Sequence, residues 1–93
     1  MATTICDAIR SKNTITFWYD GSLREVEPHQ VGYDQSGDLT LSAWQLSGGS
    51  GADWRDFHIA KTSALATTVK RFSGPRPGYN PRNRKMRQIL CGL

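Results

Sequence analysis

The segment Thr14-Ile-Thr-Phe-Trp-Tyr-Asp-Gly-Ser-Leu-Arg-Glu-Val-Glu-Pro28 decides the fold. Both of its halves are rich in β-branched and aromatic residues, and Asp20-Gly21 between them is a turn signal, so the segment predicts a β-hairpin. A two-residue and a four-residue loop give the same parity. Ile15, Phe17 and Tyr19 share a face with Arg24, Val26 and Pro28, while Trp18 and Leu23 lie on the other. Arg24 is therefore expected on an aromatic, aliphatic face, where a charged group needs a partner or a ligand.

Upstream, Ile5, Ala8 and Ile9 recur at helical spacing behind Thr3 or Thr4 as cap, with Asp7 in the first turn and a stop near Asn13. Such a short helix is unstable alone and must lay its apolar stripe on the strands. Downstream, Pro28 interrupts the ladder, and His29 to Tyr33 reads as a bent extension of the second strand. Asp34-Gln-Ser-Gly37 is the next turn. Leu39, Leu41 and Ala43 then alternate with Thr40, Ser42 and Trp44, the period of a strand buried on one face. Gly48-Gly-Ser-Gly51 is a flexible loop. Beyond it the strand Trp54 to Ile59 places Arg55, Phe57 and Ile59 on one face and Trp54, Asp56 and His58 on the other.

A last strand around Ala64 to Val69 brings the count to five strands behind one helix, which suggests a small barrel or sandwich. Trp18 is expected in the core under the helix, and Trp54 as the exposed indole. Ser73 to Pro81 is an extended connector rich in Pro and Gly. Asn80-Pro81 reads as a helix start, with Met86, Ile89 and Leu90 as a narrow apolar stripe. The expected organisation is a barrel domain over residues 1–72 and a basic extension over 73–93, helical from about residue 81.

At 93 residues, with 38% hydrophobic and 22% charged residues, the chain has the composition of one ordinary soluble domain. No apolar run approaches the roughly 18 residues that a membrane span needs. The first residues lack the basic start and apolar core of a secretory signal, so a cytoplasmic location is expected. Cys6 and Cys91, at opposite ends of the chain, fit neither a dense disulfide framework nor a metal-ligand spacing, and both are read as reduced thiols, with a bridge tying the terminal segments together as the alternative. The net charge of +4 conceals a split. Residues 1–56 carry four basic and eight acidic residues, and residues 57–93 carry eight basic residues and no acid. The C-terminal third therefore favours a polyanion or an acidic surface as partner.

The order of an Ala8-Ile9-Arg10 helix, a strand ending in Tyr19, Arg24-Glu-Val-Glu-Pro28, Leu39-Thr40-Leu41 and Arg55-Asp-Phe57-His-Ile59 resembles the WYL domain. The likeness spans roughly residues 4–70. It implies a small five-stranded Sm-like β-barrel with an N-terminal helix, of the kind found in bacterial transcription regulators and in proteins tied to CRISPR and phage defence. It also implies a basic groove, lined by the signature tripeptide and the arginines, that binds a nucleotide or nucleic acid. Here Leu39-Thr40-Leu41 stands at the Trp-Tyr-Leu positions, and His58 and Lys61 fall where the family often carries two further arginines.

The candidate ligand-binding residues are accordingly Arg24, Arg55, Tyr19, His58 and Lys61. A guanidinium holds phosphate or carboxylate through paired charge-assisted bonds, and a tyrosine ring adds a stacking surface. The alternative is internal pairing of each arginine with Glu25, Glu27, Asp38 or Asp56, or a stem laid along the core. Lys70, Arg71, Arg82, Arg84, Lys85 and Arg87 are candidates for a nucleic-acid backbone. No nucleophile motif, phosphate-binding glycine loop or metal-ligand set is visible. A non-catalytic binding or sensor module without cofactor is the expectation, its partner a single-stranded nucleic acid or a nucleotide. The alternatives are a protein partner, such as a helix-turn-helix regulator, docked through the basic C-terminal helix, and a small-molecule sensor.

Overall fold

In the computed structural model, which describes residues 1–93, the hairpin forms with the expected parity. Strand β1 (Asn13–Tyr19) pairs antiparallel with β2 (Ser22–Asp34), setting Ile15 opposite Val26, Phe17 opposite Arg24 and Trp18 opposite Leu23. Asp20 at φ 48° and Gly21 at φ 76° are both left-handed, which gives the two-residue turn whose twist suits a hairpin. Pro28 lies where one edge of β2 changes partner, between the part paired with β1 and the part paired with a later strand. There Pro28 opposes Ala43 and Gln30 opposes Ser42, leaving His29 as the extra residue of a β-bulge. The bulge shifts the alternation by one. Val26 and Val31, an odd number of positions apart, both reach the core as a result.

Strands β3 (Leu39–Ser47) and β4 (Asp53–His58) extend the meander, and a 3-10 turn over Ile59–Lys61 leads into β5 (Ser63–Arg71). The sheet order is β4-β3-β2-β1-β5, and β6 (Met86–Gly92) pairs with the distal half of β2. Helix α1 (Ala2–Ser11) buries Ile5, Ala8 and Ile9 against Ile15, Phe17, Val26, Leu41 and Phe57. The rings of Phe17, Tyr19 and Phe57 meet edge to face, with centroids 4.9–6.3 Å apart. No helix is long and apolar enough to cross a membrane.

Several expectations are corrected. The protein is mainly β with one N-terminal helix, but the sheet has six strands rather than five and is not closed into a barrel, since β4 and β5 do not pair. No helix forms from residue 81. Asn80 and Asn83 accept the backbone N–H groups of Arg82 and Lys85 in successive side-chain turns, and Met86–Gly92 is a strand. Its backbone satisfies the edge of β2 that β1 leaves unpaired, a gain that a short isolated helix cannot match. Gly32 permits this approach, because a Cβ there would collide with the Gln88 carbonyl and lie 3.2 Å from Ile89 Cα.

The helix begins at Ala2 without a side-chain cap, so Thr3 and Thr4 lie in its first turn and Asp7 beyond it; Lys12, left-handed at φ 56°, ends it. Trp18 is exposed rather than covered by α1, whereas Trp54 is half-buried. Cys6 and Cys91 are not free thiols but form a disulfide that ties α1 to β6.

Candidate ligand site

Arg24 follows Tyr19 and the turn, on the core face of β2, and is 9% exposed. No carboxylate pairs with it. Its Nη1 donates to Gln45 Oε1 at 2.8 Å and its Nη2 to the Tyr19 carbonyl at 3.1 Å, while Nε has no acceptor. The guanidinium carbon lies 5.7 Å from the Tyr19 ring centre and 5.9 Å from that of Phe57, within cation–π range. Gln45, fully buried, donates in turn to the carbonyls of Gly48 and Gly51. Arg24 and Gln45 thus hold down the β3–β4 loop. Gly48 at φ 97° and Gly49 at φ 51° press directly on the arginine side chain, where a Cβ has no room. Arg24→Ala is expected to lower stability by about 2–3 kcal/mol, since it removes buried bonds to a charged group and strands Gln45; urea unfolding measures the loss.

Arg55 reaches the same loop from β4. It pairs with Asp53 at 3.3 Å and bonds the Ser50 hydroxyl and the Trp54 carbonyl, and its side chain remains 30% exposed. Tyr19, partly buried, packs against the core cluster, and its hydroxyl accepts the backbone N–H of His58. His58 Nε2 lies 3.6 Å from Asp34 Oδ2, and Asp38 completes a small surface group with them. Bonds from the backbone N–H groups of Asp38 and Ser36 hold the Asp34 carboxyl below its usual value, so Asp34 is committed to its own turn. Lys61 is exposed on the 3-10 turn. The structure therefore brings Arg24, Arg55 and Tyr19 around the glycine loop and leaves His58 and Lys61 on the neighbouring surface.

The second face of the sheet carries Glu27, Trp44 and Trp54, aligned across β2, β3 and β4. A strap running from Phe72 to Lys85 crosses it. Arg76 grips the buried Glu27 through two bonds of 2.8 and 3.0 Å and lies over the Trp44 ring. Trp54 donates its indole N–H to the Pro77 carbonyl, and Gln30 donates to the carbonyls of Asn80 and Pro81. Bulged out of the ladder, His29 is fully buried among Trp54, Phe72 and Tyr79. Its Nδ1 meets the Glu27 carbonyl and its Nε2 accepts the Arg76 backbone N–H, which assigns a neutral ring protonated on Nδ1.

Burial lowers the His29 pKa from 6.5, against smaller raising effects of the Glu27 carbonyl and carboxylate. The unfolded chain therefore takes up a proton that the folded protein refuses, and stability should fall as pH drops below 6.5 toward the lowered folded value. Urea midpoints between neutral and mildly acidic pH test this; in His29→Gln the slope over that range should flatten.

Where the strap passes β4 it leaves a cleft of about 190 Å³ floored by Ser42, with Trp54 and Tyr79 as aromatic walls and Asp56, Asn80 and Lys85 at its polar rim. Burial raises the Tyr79 phenol, opposed by Gln30 and by the Leu93 carbonyl to which it donates at 3.1 Å. Of the basic residues in the C-terminal third, Lys70 lies 4.0 Å from Glu25, Lys85 3.5 Å from Asp56, and Arg76 is neutralised by Glu27. Lys61, Arg71, Arg82, Arg84 and Arg87 are exposed and pair with no carboxylate.

Sequence reading missed Tyr79 and Asn83, and offered Glu27 as a partner of Arg24 or Arg55 where the structure pairs it with Arg76. The signal available was Pro75-Arg-Pro-Gly-Tyr-Asn-Pro81, whose prolines restrict the unfolded chain and suit a strap that docks. No protein-family model, curated protein or solved structure matches the chain.

Proposed function

We propose that this chain is a non-catalytic binding module of the WYL type for an anionic ligand, a single-stranded nucleic acid or a nucleotide. The observation that carries the reading is the set of five exposed cations of the C-terminal third without carboxylate partners, Lys61, Arg71, Arg82, Arg84 and Arg87. Such groups retain counterions that a phosphate backbone releases. Arg55 and His58 extend the polar surface on the β4 side, with Arg24 and Tyr19 as the scaffold beneath. A protein contact through a C-terminal helix has lost its helix and is not carried forward. A bridged Cys6–Cys91 pair removes the thiol ground of the cytoplasmic expectation and fits an oxidising compartment better.

Fluorescence polarisation with single-stranded DNA and RNA across a salt series tests the reading. Five phosphate contacts imply a log–log salt slope of about −3.5, and the triple variant Arg82→Ala, Arg84→Ala, Arg87→Ala should reduce its magnitude by about 2. Absence of binding at low salt would sink the nucleic-acid reading.

A further inference from the structure

The cleft between the strap and β4 is distinct from the face that carries Arg24. Trp54 and Tyr79 stack 22° from parallel with centroids 6.5 Å apart, and both rings line the cleft, aromatic surface of the kind on which a base stacks. Ser42, across the ladder from Asp56, supplies a hydroxyl at the floor. The Asp56 carboxylate is a pure acceptor. Lys85 approaches only its Oδ2, at 3.5 Å, so Oδ1 remains open. Asn80 and Asn83 spend their side-chain oxygens on the backbone N–H groups of Arg82 and Lys85, which leaves their amide N–H₂ groups as donors. The carboxylate, with Oδ1 open and a lone pair left on Oδ2, and the amide donors of the cleft together define a complementary edge. The ligand must be a flat ring bearing two adjacent N–H donors next to carbonyl and ring-nitrogen acceptors.

Guanine has that edge. Its N1–H and exocyclic N2–H face a carboxylate, and its O6 and N7 accept from amides or a hydroxyl. Adenine presents an acceptor where N1–H is needed, and cytosine and uracil are smaller and lack the paired donors. A second opening of about 190 Å³ shares Trp54, Asp56 and Lys85 with the first and adds Arg55. Because β4 is an edge strand, Arg55 comes within reach of this side of the sheet. Already bonded to Asp53, Ser50 and the Trp54 carbonyl, its guanidinium adds positive charge for a phosphate beside Lys85.

We infer that the strap–β4 cleft is a guanine-binding subsite, with Arg55 and Lys85 placed for the attached phosphate. This rests on the reading of the chain as a module for an anionic nucleotide or nucleic-acid ligand, and it names the base which that ligand must present. The strap is part of the site as well as its wall. Arg76 on Glu27 and the Arg76 N–H on His29 fix the backbone that carries Tyr79 and the two asparagines.

Isothermal titration of the full chain with guanosine, inosine, adenosine and cytidine 5′-monophosphates and with ribose 5-phosphate tests the inference. The Trp54 indole N–H resonance, identified by its loss in Trp54→Phe, serves as the positional readout. Guanosine monophosphate should bind at least tenfold tighter than the inosine form, which lacks N2, and should shift the Trp54 signal. Asp56→Asn, a change at an exposed position, should weaken guanosine monophosphate at least tenfold. A purely electrostatic surface predicts the opposite sign, because that variant gains positive charge. Equal affinity for all five probes, or tighter binding by Asp56→Asn, overturns the guanine subsite.

Oligonucleotides separate the two readings. Salt-dependent binding of r(UUUU) that r(UUGU) does not exceed, with no response to guanosine monophosphate, removes the subsite and leaves the polyanion surface. Guanosine monophosphate binding without any oligonucleotide binding keeps the subsite and removes the polyanion surface.

Discussion

Replacing both cysteines, Cys6→Ser with Cys91→Ser, is expected to lower the unfolding free energy by about 2–5 kcal/mol. The bridge closes a loop with a sequence separation of 85, nearly the whole chain, so it restricts the unfolded ensemble almost maximally. In the chain-entropy model a loop of this length is worth about 4–5 kcal/mol, with the measured range reaching lower. A small domain has only about 5–15 kcal/mol in total, so the loss is a large share of it. Urea unfolding of the native protein with and without a thiol reductant provides the comparison. The reduced protein should match the double variant, and its denaturant slope should rise as the unfolded state expands. An unchanged midpoint under reductant would show that α1 and β6 hold without the bridge. Partial loss confined to β6 would appear as early hydrogen exchange of the amides that pair with Gly32 and Tyr33.

Phe57→Ala is the other change with a large expected cost, about 3–5 kcal/mol. Phe57 is 1% exposed, sits opposite Leu41, and meets the rings of Phe17 and Tyr19 at 4.9 and 5.0 Å. Its removal opens a cavity where α1 and three strands converge. It also strips Arg24 of one of the two aromatic faces that accompany its unpaired charge. Phe57→Ala and Arg24→Ala should therefore be non-additive, with a coupling of about 0.5–3 kcal/mol in a double-mutant cycle. Additive costs would mean that the guanidinium depends on Gln45 and the Tyr19 carbonyl alone. Phe57→Leu, which keeps most of the volume, should cost less than Phe57→Ala.

Arg24 shows how far residue patterning reaches. The parity of the hairpin placed it on the core face, and the register of Phe17 with Arg24 agrees. A bound anion, an internal carboxylate and a stem laid along the core to solvent were open. The structure supplies a different partner, the amide of Gln45 and a carbonyl, because the glycine loop folds back over the arginine and brings no acid with it. Loop geometry of this kind depends on what it lands on. Arg55 was placed on the same face by the same rule, yet it turns toward Ser50 in that loop and Asp53 at the start of β4.

The indoles make the complementary case. Trp18 is 47% exposed because α1 packs on the opposite face of the hairpin, the face of Ile15 and Phe17. Alternation alone assigned Trp18 to a face, but which face α1 covers is a tertiary matter. Trp54 lost its exposure to a strap that arrives from the connector before β6 and bonds its indole N–H.

By itself the sequence determined what short-range periodicity can encode. That comprises the hairpin and its Asp20-Gly21 turn, the buried faces of β3 and β4, the amphipathic helix and the division of charge along the chain. Side-chain alternation and turn stereochemistry are properties of neighbouring residues, so they can be read without knowing the rest of the chain. Tertiary structure alone decided the strand at Met86–Gly92, the bulge at His29, the disulfide and the strap over Trp44 and Trp54. Each of these joins residues far apart in the chain. Each depends on which unpaired edge or uncovered face remains once the local elements have formed. The edge of β2 beyond Pro28 had no partner until residues 86–92 supplied one, and that competition for backbone hydrogen bonds overrode the local helix signal at Asn80-Pro81.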